Sequence, residues 1–123
     1  MITLYRKNQR KIAMGLLSFH KNLHEHRHLL KEIDTYEEDE KYQLYCFYCD
    51  GSSKNVQGLI GISLDDAQEL VLHDICLNPS YRGERLGYEM MDQLQQAHPD
   101  HRIIGTRATA AFLDKWKRSR GIE

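Results

Sequence analysis

The chain has little to interrupt it. Two prolines, Pro79 and Pro99, are all that its 123 residues contain, and no glycine-, serine- or proline-rich stretch marks a linker. No apolar run approaches the ~20 residues that a membrane-spanning helix needs, so no membrane association is expected. The N-terminus has no charged segment leading into a long apolar stretch and a cleavage site, as a secreted precursor would. Cysteine is scarce and odd in number. Three residues without framework spacing point to a reducing cytoplasm and no disulfides. An excess of either charge is lacking too: 17 basic residues face 18 acidic ones. The electrostatic footprint of a general nucleic-acid binder is therefore missing, and the short basic stretch "YRKNQRK" reads as a solvated approach to a helix. The length suits one domain, residues 1–123, with one real core.

What is present is a regular succession of patterns. "MITLY" reads as a short strand. Ile12, Leu16, Phe19 and Leu23, then Leu29, Ile33 and Tyr36, recur at helical spacing and predict two amphipathic helices. "YQLYCFYCD" and "VQGLIGISL", separated by the turn "GSSKN", predict a hairpin. "LVLHDICL" is apolar at alternating and non-alternating positions alike, which predicts a central strand buried on both faces. Leu86, Met90, Met91 and Leu94 mark a third helix that stops near "HPD". "RIIGT" predicts a short strand, and Ala108, Ala111, Phe112 and Trp116 the buried stripe of a last helix. The order is strand, two helices, three strands, helix, strand, helix.

Between the central strand and the third helix lies "NPSYRGERLG", residues 78–87. The first turn of a helix leaves N–H groups unpaired and carries the positive end of the helix dipole. Glycine allows close approach and positive φ, and Arg82 and Arg85 add charge suited to phosphate. A phosphate-bearing ligand is the expectation.

These residues carry a resemblance to a known family. "RGERLG", with Arg82 and Gly87 at its ends and "ICLNPSY" before it, is similar to the pyrophosphate motif of the GNAT superfamily, the acyltransferases that use acetyl-CoA. The likeness extends over nearly the whole chain, and "KIAMGLLSF" resembles a small riboflavin-operon branch of that superfamily. It implies an α/β fold with a mixed, mostly antiparallel central sheet and helices on both faces, in the order β1 α1 α2 β2 β3 β4 α3 β5 α4, shortened at the C-terminus. It implies an acetyl-CoA-dependent N-acetyltransferase acting on an unidentified amine by direct attack on the thioester. The backbone of Ile75, Cys76 and Leu77 would hold the amide-bearing arm of CoA, and the N–H groups of Arg82, Gly83, Glu84, Arg85, Leu86, Gly87 and Tyr88 its pyrophosphate. The partners implied are acetyl-CoA and the amine, with a homodimer left open.

Two residues depart from the family pattern. Arg85 stands where the motif has its middle glycine, and Leu113 stands where many members have a tyrosine that protonates the leaving thiolate. A CoA-binding sensor or interaction module without turnover is the alternative. For turnover, an amine of pKa ~10.4 must lose a proton, at a cost of about 4 to 5 kcal/mol at pH 7, so a base is useful. His73, Asp74 and Glu69 lie on or beside the central strand, and His73 comes first because its ordinary pKa of ~6.5 suits proton transfer near neutrality. No metal is expected. Spacings of four among His20, His24, His26 and His28 can place two imidazoles on one helical face but bring no third ligand at fixed spacing, and Cys46 and Cys49 would point to opposite faces of a strand. "YEEDE" reads as a solvated helix end, and Cys76 as a small buried hydrophobe.

Overall fold

A computed structural model describes residues 1–18, 26–48, 55–81 and 85–122. Its elements are β1 (Ile2–Leu4), α1 (Arg10–Leu17), α2 (His26–Glu38), β2 (Tyr42–Phe47), β3 (Gly58–Leu64), β4 (Glu69–Leu77), α3 (Leu86–Ala97), β5 (Arg102–Gly105) and α4 (Ala110–Ser119), with 3-10 turns at Lys7–Gln9 and Pro79–Tyr81. The strands lie in sequence order, β1-β2-β3-β4-β5. All neighbours are antiparallel except β4 and β5, which α3 joins as a parallel crossover. The sheet is mixed and mostly antiparallel, as the resemblance implied.

Alternation along the strands sends side chains to two cores. Leu44, Cys46 and Leu59 meet Ala13, Leu16 and Leu17 of α1 and Leu29, Ile33 and Tyr36 of α2. Tyr45, Phe47, Ile60 and Ile62 meet Met90, Met91 and Leu94 of α3 and Leu113 and Trp116 of α4. The helices thus cover both faces.

β4, expected at the centre of the sheet, lies fourth in the order, with β3 at the centre, and it changes allegiance part-way. Leu72 pairs with Ile62 but Asp74 pairs with Gly61, so His73 is an extra residue in a β-bulge. Leu70 and Leu72, before it, belong to the α3–α4 core, while Cys76, beyond it, belongs to the α1–α2 core. That switch explains why the apolar residues of β4 follow no single alternation in the sequence.

Two helical stripes differ from expectation. In α1 the inward residues are Ala13, Leu16 and Leu17, whereas Ile12 is 41% exposed; Phe19 and Leu23 lie outside the described residues. In α4 the inward positions are Leu113 and Trp116, preceded by Thr109, with Phe112 half-buried and Ala108 and Ala111 exposed. The helix begins only at Ala110, so Ala108 precedes it and the stripe falls in another phase. Among the described residues no helix is long and apolar enough to cross a membrane.

Candidate functional site

β5 pairs with β4 only from Glu69↔Arg102 to Leu72↔Gly105. Beyond Leu72 the two strands part, and among the described residues no strand neighbours the outer edge of β4 from residue 73 to 77. Which backbone groups this exposes follows from the β3 side. Asn78 donates its N–H to the Gln57 carbonyl at 2.8 Å, and hydrogen-bonded positions alternate along an antiparallel pair. Cys76 therefore turns its N–H and C=O toward β3. Ile75 and Leu77 turn theirs toward the open edge. Of the three residues expected to hold the CoA arm, two thus turn their backbone groups toward this edge.

The edge leads into the turn before α3. Asn78 ends β4 and accepts the Ser80 N–H on its Oδ1 at 3.0 Å. Arg82, Gly83 and Glu84 lie outside the described residues. Arg85 is the N-cap of α3 and is left-handed, with φ 62° and ψ 16°. The positive φ expected of a glycine is thus borne by arginine. Gly87 serves a different purpose: a Cβ there would approach the Phe112 ring of α4 to 3.1 Å, so the glycine lets α3 and α4 close together. The N–H groups of Leu86 and Gly87 belong to the helix's first turn, which offers them no intrahelical acceptor. That of Tyr88 donates to the Arg85 carbonyl at 3.1 Å and is already used.

A polar cluster surrounds the bulge on the α2 side. The Nε2 of half-buried His73 lies 2.7 Å from the Ser63 hydroxyl, and its ring packs 5.2 Å from that of Tyr42. Burial lowers the pKa of His73, and the Glu32 carboxylate on α2 opposes that shift. The neutral imidazole is favoured, the form that accepts a proton. Asp74 is 2% exposed and accepts the Tyr36 hydroxyl at 2.5 Å. Burial and this carboxylate push the Tyr36 phenol far up, so it remains a donor. Gly61 makes room for that hydroxyl, with which any Cβ at 61 would collide.

The three candidate bases are thereby separated. His73 is partly accessible and two residues from the open Ile75 edge. Asp74 is beside it but enclosed. Glu69 begins β4, four residues and about 13 Å from His73 along the strand, opposite Arg102. It is at the wrong end for a shared reaction centre. Ser63, Glu32, Tyr36, Tyr42 and Thr109 were not foreseen, because each reaches the site from another element.

A protein-family model described as the acetyltransferase (GNAT) family matches residues 10–115. The chain belongs to the GNAT acetyltransferase family. A relative in Bacillus methanolicus, an uncharacterised N-acetyltransferase in the lysA 3′ region, is 35% identical over 123 residues, the full length of both chains. Among solved structures, the aminoglycoside N-acetyltransferase AAC(6′)-Iy in complex with CoA superposes with a TM-score of 0.74 at 15% identity, over 100% of this chain and 87% of that one. A GNAT-family acetyltransferase from Staphylococcus aureus Mu50 gives 0.66 at 16% identity, over 98% of this chain and 82% of that one. At such identities the likeness is one of fold.

Against this GNAT frame the two departures take physical form. Leu113 is 3% exposed and packs in the α3–α4 core, so no side chain at 113 faces the cleft. One turn on, Trp116 is buried and donates its Nε1–H to Asp92 at 2.9 Å, while Arg120 grips the same carboxylate at 2.9 and 2.8 Å. Among the described residues no group of three metal-ligating side chains is present. Cys46 is buried and its thiol is pushed up to about 11 by burial, the opposite of what a redox pair needs. Cys76 is 5% exposed, in keeping with a small hydrophobe. His20, His24, Cys49 and the side chain of His26 lie outside the described residues. Glu38, Asp39 and Glu40 are exposed, as a solvated helix end would be.

Proposed function

We propose that this enzyme transfers the acetyl group of acetyl-CoA to an amine by direct attack on the thioester. The observation that carries the proposal is the fork: a strand edge whose backbone groups at Ile75 and Leu77 face no strand among the described residues, followed eight to nine residues after Leu77 by the N-terminus of α3. An amide-bearing arm can pair with the edge, and an anion suits the first turn of α3, where Leu86 and Gly87 offer N–H groups and Arg85 adds charge. Arg82, Gly83 and Glu84 precede them in the sequence.

In this reading the amine loses its proton to His73 as its nitrogen attacks the carbonyl carbon. The N–C bond forms, the C–S bond breaks, and the thiolate takes up a proton from solvent. The N–H of Ile75, on the open edge, is the donor nearest the bulge and polarises the carbonyl; such donors contribute on the order of 3 kcal/mol elsewhere. Absence of an acid at Leu113 is tolerable. A thiol of pKa ~8.5 leaves unprotonated at pH 7 at a cost of about 2 kcal/mol. A reducing cytoplasm suits both the cosubstrate and the free cysteines Cys46 and Cys76.

The test has two stages. CoA and acetyl-CoA should each raise the melting temperature, by the equivalent of about 2.7 kcal/mol at a hundredfold excess over Kd. No shift at millimolar ligand removes the proposal. A panel of amines followed by release of free thiol then separates turnover from a binding module. With an acceptor in hand, His73→Gln should lower turnover by ~10² to 10⁴ while acetyl-CoA affinity holds. An unchanged rate takes the role of base away from His73.

A further inference from the structure

Leu72 is the last residue of β4 that β5 pairs, and what ends the ladder there is a side chain. The next residue after β5, Thr106, turns away: its N–H donates to the Thr109 hydroxyl oxygen at 2.9 Å, and its carbonyl accepts from the N–H groups of Thr109 and Ala110 at 3.2 and 2.8 Å. The same Thr109 hydroxyl donates to the Leu72 carbonyl at 2.8 Å. Thr109 is 2% exposed, so no water competes for these groups. Gly105 permits the arrangement, since a Cβ there would approach Thr109 Oγ1 to 3.0 Å and the Ala110 backbone to 3.3 Å.

One hydroxyl thus satisfies a carbonyl of β4 and an N–H of the segment leaving β5. It does for Leu72 what a further β5 amide would do in a longer ladder, and it occupies the Thr106 N–H that would extend the pairing. At the point where the ladder would continue, the Leu72 carbonyl and the Thr106 N–H are both already taken. A buried carbonyl left without a donor would favour closing the fork or filling it with water, and either would compete for the edge at Ile75 and Leu77.

We propose that Thr109 is a positioning residue for the coenzyme: its hydroxyl stops the β4–β5 ladder at Leu72 and holds the β4 edge open for the amide-bearing arm of CoA. The inference rests on the reading that the fork binds CoA. Thr109 itself touches no reacting atom in this account.

The experiment is calorimetric titration of CoA into the wild type, Thr109→Val, Thr109→Ser and Leu44→Ala, with melting temperatures measured alongside. Valine keeps the shape and removes the hydroxyl; serine keeps the hydroxyl. Leu44→Ala cuts the core on the opposite face of the sheet, two strands from the fork, and controls for stability alone. Thr109→Val should weaken CoA by at least about tenfold, because a fork that closes or fills to satisfy the Leu72 carbonyl must be reopened on binding, while Thr109→Ser stays within about threefold of wild type. Leu44→Ala should melt lower yet bind as the wild type does. Thr109→Val binding within about threefold of wild type, or Leu44→Ala weakened as much as Thr109→Val, overturns the proposal. Wild type that fails to bind CoA overturns the functional reading, and this role with it. Should the valine variant not fold, amide exchange decides. Without CoA the N–H groups of Ile75 and Leu77 should exchange much faster than that of Cys76, and CoA should slow them; equal protection in free protein overturns the open fork.

Discussion

Arg85 holds a conformation that its side chain disfavours, and the energy of that choice can be measured. At φ 62° a residue with a Cβ crowds its own following carbonyl, at a cost of roughly 1–2 kcal/mol that glycine escapes. The strain persists because the Arg85 carbonyl caps the start of α3, accepting from Tyr88 at 3.1 Å and Glu89 at 3.3 Å. Arg85→Gly should relieve it. Glycine also enlarges the unfolded ensemble, an opposing effect of about 0.4–1 kcal/mol. The net expectation is a protein as stable as wild type or more stable by up to about 1.6 kcal/mol. Arg85→Ala retains the strain and removes the same charge, so it should gain nothing.

CoA affinity should respond to charge and not to φ. The Arg85 side chain is exposed, and a screened contact of that kind contributes ~1 kcal/mol or less. Both substitutions should therefore weaken CoA by less than about tenfold, and by less still at high salt. The pair of variants separates the two effects: denaturant melts read the backbone, and titration at low and high salt reads the guanidinium. If Arg85 instead clamps a phosphate, each variant loses roughly 2 kcal/mol or more, as for a charge-assisted bond. A glycine variant weakened more than about thirtyfold at low salt would refute the screened contact, and one clearly less stable than alanine would refute the strain argument.

Gly61→Ala places a methyl group against the Tyr36 hydroxyl and should destabilise the fold by about 3 kcal/mol, from overpacking together with a disturbed bond to a buried carboxylate. Adding Tyr36→Phe should recover part of the loss in denaturant melts; no recovery would mean that the collision is not the cause. Stability should also fall on acidification. Burial lowers the folded-state pKa of both His73 and His98, with His101 adding to the effect at His98. Above the ordinary value of ~6.5 both states are neutral; below it the unfolded chain binds protons first, so stability declines from about pH 6.5 toward the depressed folded values. Melts between pH 7.5 and 5.5 measure the slope, and His98→Gln should make it shallower. An unchanged slope would remove His98 from the account.

Much of this architecture can be read along the chain, because each core-facing pattern is local. The non-alternating apolar residues of "LVLHDICL" already require a strand with two buried faces, and the bulge at His73 is how one strand serves both. The strand-turn-helix around "NPSYRGERLG" likewise puts its N–H donors at the start of α3, since Leu86, Met90 and Leu94 set that helix's inner face. The phase of α4 was less legible. Its first residue depends on a hydroxyl bonding a strand thirty-seven positions away, and propensity within "TRATAAF" carries no trace of that partner.

The same distinction separates the site residues that sequence proximity suggested from those that geometry assembles. Glu69, Asp74 and His73 lie within five positions, yet a rise of ~3.3 Å per residue carries Glu69 away from the bulge, and the extra residue turns Asp74 into the α1–α2 core. Only His73 keeps a partly accessible ring near the open edge. Its neighbours there come from β3 as Ser63, from β2 as Tyr42 and from α2 as Glu32, three elements that meet only because the sheet runs in sequence order with α2 laid across it. Gly87 makes the same point. In the sequence it looks like a phosphate-binding glycine, but the space it leaves is filled by Phe112, while the positive φ has moved two residues back to Arg85. On the proposed reading the motif's chemistry is divided here among a strained arginine, a packing glycine and a strand edge held by Thr109, and each part can be altered without the others.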